Sequence, residues 1–266
     1  MIRSFEDGFD QDVIVREGLM FVAISSRCFS DVSFAEACSQ IADLHYDKLE
    51  LWMDDASEHL KSSYVAENPE RFVKQYREAT RLTPVAISLE QDLPPGPFES
   101  ICKLAKILKI TQITIPAGAL GTPFNEEIDR LRSRQAIAST SGIRLSLKMK
   151  TSTLTEDPRT AVELCQSVQG LGITLDPSAV ICGPFSNQSI DPVFPYTYHT
   201  HLRDTSPTQL QIPVGLGEVD YNRIISQLQR CNYTRALSVE MYPELITDSD
   251  RSLELRKMRM LLESLL

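Results

Sequence analysis

The stretch of sequence that decides the fold is YHTHLRD at residues 198–204, followed by VGLGEVD at 214–220 and ALSVE at 236–240. Apolar and polar residues alternate in the first and last of these pieces, a pattern typical of β-strands with one buried face. The first strand carries His201 near its end and the later one ends at Glu240, while the preceding unit ends at Asp176. Successive strands that end in such side chains are typical of an α/β barrel, which presents them at one rim.

The same alternation recurs along the chain and predicts further strands, separated in most cases by segments with helical spacing. The strands are predicted near residues 21–25, 48–53, 85–90, 112–116, 143–148, 172–176, 197–203 and 236–240. The helices are predicted at residues 33–45, 68–81, 99–108, 125–140, 158–169, 220–230 and 248–266. The stretch 183–196 is rich in Pro, Asn and Ser, so the helix before the seventh strand should be weak or missing. We therefore predict an α/β fold, a single (β/α)8 TIM barrel over residues 20–266, preceded by an extension over residues 1–19.

The composition bounds the functional classes. The chain has 266 residues, a net charge of −9 and six cysteines, none of them in C-x-x-C spacing. A single domain of this length buries a large core without disulfides, so we expect reduced thiols in a cytoplasmic protein. The acidic charge argues against nucleic acid, whose binding requires Lys and Arg to neutralise phosphates. Because no apolar run approaches the roughly 20 residues of a membrane span, we expect no membrane partner.

Strand parity predicts which side chains enter the barrel. One face of each strand packs on apolar helices and the other points inward, so the apolar parity marks the helix side. On the opposite parity lie Glu50, Trp52, Glu90, Lys148, Lys150, Asp176, His201, Arg203 and Glu240. They cluster at the carboxyl ends of their strands, which form the functional rim of this fold. We therefore predict that they converge on one pocket.

Several short pieces, in the same order along the chain, resemble the xylose isomerase-like barrel superfamily. The pieces are YDKLELW at 46–52, ITIPAG at 113–118, LDPS at 175–178, HLRD at 201–204, GLGEVD at 215–220 and SVE at 238–240. The resemblance implies proton transfer next to a carbonyl, with a divalent metal held by Glu, Asp, His and Glu from strands five to eight. It also implies a homodimer or homotetramer. The matching metal positions are Asp176, His201 and Glu240, whereas Lys148 stands in place of the first glutamate.

Lys148 leaves three alternatives open, because a lysine ammonium cannot ligate a metal and repels one placed nearby. In the first, Lys148 neutralises Asp176 and Glu240, and the pocket binds a carbohydrate without metal. In the second, Asp176, His201 and Glu240 hold Mn, Mg, Zn or Co, and Lys148 swings aside to hold a phosphate or carboxylate. In the third, Lys150 lowers the pKa of Lys148, which then acts as a nucleophile or base.

The resulting functional prediction is a sugar or sugar-phosphate isomerase or epimerase that acts on a small keto or hydroxy carbohydrate without a nucleotide cofactor. The predicted catalytic residues are Glu240, Lys148 and His201. The predicted substrate-binding residues are Glu50, Trp52, Glu90, Lys150 and Arg203. The alternatives are a lyase or dehydratase on the same scaffold and a non-catalytic paralogue that binds a carbohydrate, since the fold does not fix the activity.

Overall fold

Eight parallel strands close into a barrel in the computed structural model, which describes residues 19–246 and 248–266. The strands are β1 (Phe21–Ser25), β2 (Lys48–Met53), β3 (Thr83–Leu89), β4 (Gln112–Ile115), β5 (Arg144–Lys148), β6 (Leu171–Leu175), β7 (Thr197–Leu202) and β8 (Ala236–Val239). Each strand pairs with the next along the chain, and β8 pairs with β1 to complete the ring. The predicted (β/α)8 barrel is therefore confirmed.

Helices occupy the intervals between these strands. They are α1 (Phe34–Asp43), α2 (Ser62–Glu67), α3 (Pro69–Ala79), α4 (Pro95–Leu108), α5 (Phe124–Thr140), α6 (Pro158–Ser167), α7 (Pro177–Ile181), α8 (Tyr221–Arg230) and α9 (Asp248–Ser264). The helical spacing does not predict α2 and α7, because helices of six and five residues are too short to show a full hydrophobic period. Among the described helices, none is long and apolar enough to cross a membrane.

The interval between β6 and β7 differs from the others, as predicted. It contains the short α7 and a 3-10 helix at Asp191–Tyr196 in place of one long helix. The predicted extension over residues 1–19 lies outside the described residues, apart from Leu19.

Local capping interactions fix where several helices begin. The Ser33 hydroxyl accepts a hydrogen bond from the Glu36 N–H (3.3 Å) at the start of α1. The Asp220 carboxylate accepts one from the Arg223 N–H (2.9 Å) at the start of α8. Both caps satisfy N–H groups that have no partner within the first turn. Helix α4 begins at Pro95 rather than at the predicted residue 99, because proline lacks an N–H and is favoured in the first turn.

The two faces of the strands build two different layers. Toward the helices, apolar side chains pack tightly and are fully buried, among them Leu49, Leu51, Ile87, Leu145 and Leu147. Toward the barrel axis, Thr174 Oγ1 lies 2.7 Å from Thr114 Oγ1 and 2.6 Å from Ser146 Oγ. These hydroxyls satisfy one another inside the barrel, as buried polar groups require. The inward parity predicted from the sequence therefore agrees with the contacts, and the charged rim residues follow this hydroxyl layer along their strands.

The loop after β7 is held to the rim by Asp204. Its carboxylate accepts hydrogen bonds from the N–H groups of Gly215 (2.7 Å) and Gly217 (3.1 Å). A Cβ atom at Gly217 would lie 1.9 Å from the Asp204 carboxylate, so the close approach requires glycine there. The Gly-rich turn thus folds back against the end of β7 and covers one side of the rim.

Packing of the helical layer should dominate the stability of the barrel. We expect Leu104→Ala to lower the free energy of unfolding by about 2–5 kcal/mol, because this fully buried α4 side chain leaves a cavity. Urea denaturation measures the change. The matched variant Leu253→Ala, at a half-exposed position of α9, should change it by less than about 0.5 kcal/mol. Equal effects of the two substitutions would contradict this account of the core.

Candidate functional site

Four charged side chains meet where the last four strands end. Lys148 is the final residue of β5, and Asp176, Arg203 and Glu240 directly follow β6, β7 and β8. All four are buried. The structure therefore brings together the residues that strand parity predicted at one rim, although they come from distant parts of the sequence.

One ion pair of this cluster joins Lys148 and Glu240. The Lys148 Nζ donates to both carboxylate oxygens of Glu240, each at 2.7 Å. Burial lowers the pKa of Lys148, but the charge of Glu240 outweighs it and raises the pKa above its ordinary value. Burial likewise raises the pKa of Glu240, but electrostatic interactions, first with His201 and then with Lys148, outweigh it and hold the pKa well below its ordinary range. Both groups are therefore charged and form an ion pair.

Arg203 joins this pair to the third acid. Its Nη2 lies 2.5 Å from Asp176 Oδ2, and its Nη1 lies 3.2 Å from Glu240 Oε2 and 3.1 Å from the Glu240 carbonyl oxygen. The other Asp176 oxygen accepts from the N–H and the hydroxyl of Ser178 (3.1 and 2.5 Å). The first alternative for Lys148 is thus modified, because Lys148 pairs with Glu240 while Asp176 pairs with Arg203.

Glu50 lies deeper in the barrel than the other predicted site residues. Its carboxylate accepts from His199 Nε2 (2.6 Å), His201 Nε2 (2.8 Å) and Ser238 Oγ (2.6 Å) and is fully buried. Burial raises the pKa of Glu50, but electrostatic interactions and hydrogen bonds with His201 and His199 lower it well below its ordinary value. In this arrangement the Glu50 carboxylate orients two histidines, and its predicted contact with substrate stays a prediction.

Glu90 organises the outer part of the rim. Its carboxylate accepts from Arg27 Nη1 (2.9 Å), from the indole N–H of Trp52 (3.3 Å) and from the Lys150 ammonium. The Trp52 side chain is buried, and its ring lies 4.8 Å from the Arg27 guanidinium carbon. Lys150 is the most accessible of these groups, with 43% of its side chain exposed. Lys150 binds Glu90, and the pKa of Lys148 is raised by Glu240, which argues against the third alternative, in which Lys150 lowers that pKa.

Two further rim residues, Arg27 and Tyr242, are missing from the sequence prediction. The guanidinium carbons of Arg27 and Arg203 lie 4.0 and 4.3 Å from the centre of the Tyr242 ring, within the range of cation–π contacts. Tyr242 stands two residues beyond Glu240, and Arg27 stands two residues beyond the end of β1. Extending the inward parity past the strand ends would have found both.

The predicted metal ligands lie close together but do not fit a divalent ion in this arrangement. Ligand atoms of Asp176, His201 and Glu240 lie within 4.8 Å of one another, as do those of a second group formed by Glu50, His199 and His201. In the first group, however, the two carboxylates are already paired with Lys148 and Arg203. A divalent ion would add two positive charges to an already neutral set of buried groups, which is unfavourable.

A closed barrel with charged side chains at the carboxyl ends of its strands defines the TIM-barrel class. A family profile described as xylose isomerase-like TIM barrel matches residues 38–261. The chain therefore belongs to the xylose isomerase-like TIM barrel family. A search of curated protein sequences gave no significant match.

Solved structures with a similar fold include three proteins of stated identity or origin. A xylose isomerase-like TIM barrel protein from Mycobacterium smegmatis, in complex with magnesium, has a TM-score of 0.71 and 18% identity, covering 92% of this chain and 97% of that one. The probable 3-DHS dehydratase AsbF from Bacillus anthracis has a TM-score of 0.66 and 18% identity, covering 92% and 99%. The D-psicose 3-epimerase of Clostridium cellulolyticum H10, solved with D-tagatose, has a TM-score of 0.70 and 12% identity, covering 93% and 99%. At these identities the likeness shows the fold alone.

The charge on Glu50 should stabilise the fold in a pH-dependent way. We expect Glu50→Gln to lower the free energy of unfolding at pH 7 by about 1–3 kcal/mol, because an amide cannot accept from all three donors. The folded-state pKa of Glu50 lies below its ordinary value of 4.5, so its stabilisation is complete above about pH 4.5 and is lost as the pH falls toward the folded-state pKa. The difference in free energy of unfolding between wild type and Glu50→Gln should therefore become smaller as the pH falls below about 4.5.

Urea denaturation at a series of pH values between 7 and 3.5 measures this difference. The matched variant Glu126→Gln removes an exposed carboxylate of α5 and should follow the wild-type pH dependence. A Glu50→Gln difference that stays constant across the series would show that the Glu50 charge does not stabilise the fold.

Proposed function

We propose that the protein is a sugar or sugar-phosphate isomerase or epimerase that binds a small keto or hydroxy carbohydrate at the carboxyl rim of the barrel. Family membership supports this proposal, as does the fold shared with D-psicose 3-epimerase. The observation that carries it is the buried rim cluster, in which two carboxylates and two cations from four strands are in contact.

The chemistry of the cluster suits proton transfer next to a carbonyl. Such a step needs a base for the carbon-bound proton and a positive donor for the charge that develops on the oxygen. Glu240 supplies the carboxylate, and Lys148 and Arg203 supply the donors. Because the ion pair makes Glu240 a weak base, a substrate oxygen would first have to take over the Lys148 ammonium. Proton transfer would therefore require the substrate to replace the Lys148–Glu240 contact seen in this conformation.

One accessible cation at the rim supports an anionic substrate. The contacting groups are the cations Arg27, Lys148, Lys150 and Arg203 and the acids Glu90, Asp176, Glu240 and Glu244, so the cluster is balanced in charge. Lys150, with 43% of its side chain exposed, is the cation best placed to meet a phosphate or a carboxylate of the substrate first.

A second candidate is a non-catalytic carbohydrate-binding protein. The observation that favours it is the Lys148–Glu240 pair itself, since a carboxylate with a strongly lowered pKa is poorly suited to accept a proton near pH 7. The dehydratase alternative is supported only by the fold shared with the probable dehydratase AsbF. The three candidates differ in whether a bound carbohydrate exchanges a proton, loses water or stays unchanged.

Proton exchange in heavy water should distinguish these candidates. We expect one member of a panel of ketoses and ketose phosphates to incorporate deuterium next to its carbonyl, as measured by proton NMR. Glu240→Gln should slow this exchange by about 100-fold or more, because the amide cannot act as the base. The control Glu126→Gln should leave it unchanged. Binding without exchange or dehydration would favour the non-catalytic candidate. If no member of the panel binds, both the isomerase or epimerase proposal and the non-catalytic candidate are contradicted.

Lys148 should not form a covalent adduct with these substrates. Its raised pKa keeps the amine protonated near neutral pH, whereas attack on a carbonyl requires the neutral amine. We therefore expect no Lys148 adduct after incubation with the ketose panel and sodium borohydride. Peptide mass spectrometry checks this, with Lys148→Gln as the blank for that peptide. A stoichiometric adduct on Lys148 would restore the nucleophile alternative.

A further inference from the structure

We propose that Asp176, His201 and Glu240 form a latent divalent-cation site that the Lys148 ammonium keeps closed. The wild-type rim then works with a built-in cation, and one substitution at position 148 opens the site to a metal ion. The inference rests on the proposed location of the functional site and does not depend on the reaction.

The first observation is the geometry of the three ligand residues. One atom from each lies within 4.8 Å of the others, and all three side chains are buried. Two carboxylates and an imidazole suit ions such as Mn²⁺ or Zn²⁺, and three protein ligands are sufficient for a site with open positions. Three neighbouring strands hold these groups close to one another at the rim.

The second observation is an unpartnered atom that faces the acids. His201 Nδ1 is buried without a hydrogen-bond partner, although it lies 3.3 Å from Glu240 Oε2. The other ring nitrogen, Nε2, is held by Glu50 at 2.8 Å. Buried polar atoms normally have partners, so this orphan calls for an explanation. Histidines that bind a metal through one ring nitrogen commonly donate the N–H of the other ring nitrogen to a carboxylate, which is the arrangement of His201 here.

The third observation is the place taken by the Lys148 ammonium. Its nitrogen is equidistant from the two oxygens of Glu240, at 2.7 Å, where an ion chelated by that carboxylate would also be equidistant. Glu240 Oε2 also accepts from Arg203, whereas Lys148 is the donor found for Oε1. Removing the ammonium therefore frees one carboxylate oxygen for an ion while Arg203 keeps its contacts.

The charge balance of the buried cluster determines whether it excludes or binds a divalent ion. With Lys148 and Arg203 present, the two acids Asp176 and Glu240 are balanced by two cations. Replacing Lys148 by glutamine leaves one uncompensated negative charge, and replacing it by glutamate leaves two together with a fourth ligand. In a buried site such charges are unfavourable unless a cation neutralises them. The variants should therefore recruit a divalent ion that the wild type excludes.

The experiment uses Mn²⁺ alone as the probe, with no carbohydrate present. Wild type, Lys148→Glu, Lys148→Gln and the matched control Lys150→Gln are incubated with MnCl₂, desalted and subjected to elemental analysis. We expect about one equivalent of Mn²⁺ in Lys148→Glu and less in Lys148→Gln, removable by EDTA. Wild type and Lys150→Gln should retain only traces, because both keep the Lys148–Glu240 pair.

Thermal unfolding provides a second readout, which works even if the Lys148 variants are less stable than the wild type. A metal that binds only the folded state raises the midpoint temperature, so Mn²⁺ should raise it for Lys148→Glu and leave it unchanged for wild type. A Lys148→Glu chain that is unfolded without metal should refold on adding Mn²⁺. The proposal fails if wild type retains a full equivalent, or if neither Lys148 variant binds or responds to Mn²⁺. These outcomes are separate from the heavy-water test, which measures carbohydrate chemistry in the wild type.

Discussion

The mouth of the barrel depends on the buried ion pair between Lys148 and Glu240. Charges removed from water destabilise a protein unless each has a partner and its hydrogen bonds are made. Lys148 meets both oxygens of Glu240, and Arg203 continues the pairing to Asp176. Since each charge is matched, four charged side chains remain buried where the strands end.

This pair also couples the rim to the interior of the barrel. His201 stands between Glu240 above and Glu50 below, and Glu50 in turn holds His199 and Ser238. A chain of hydrogen-bonded groups of this kind orients each member through the next. In this structure the charged groups of the rim are therefore engaged with one another. A ligand of the proposed site would have to exchange contacts with these side chains as it binds.

Much of the fold could be predicted, because strand and helix periods depend on residues close in the sequence. The predicted β1 and β2 coincide with the observed strands, and the weak segment before β7 follows from its Pro and Ser content. Among the described α-helices, those that periodicity did not reveal are the short α2 and α7. Residues on the inward parity were also predictable, but Arg27 and Tyr242 lie beyond the strand ends, where the two-residue period was not followed.

By itself, the sequence determined which side chains face the barrel axis and that a lysine stands among the acids of the rim. Only the tertiary structure decided the partners: Lys148 pairs with Glu240, Arg203 takes Asp176, and Glu50 turns to the histidines. The reason is physical, since parity fixes a direction along one strand, whereas pairing depends on distances of a few ångströms between different strands. Burial then makes each of those pairings strong, because water no longer competes for the charges.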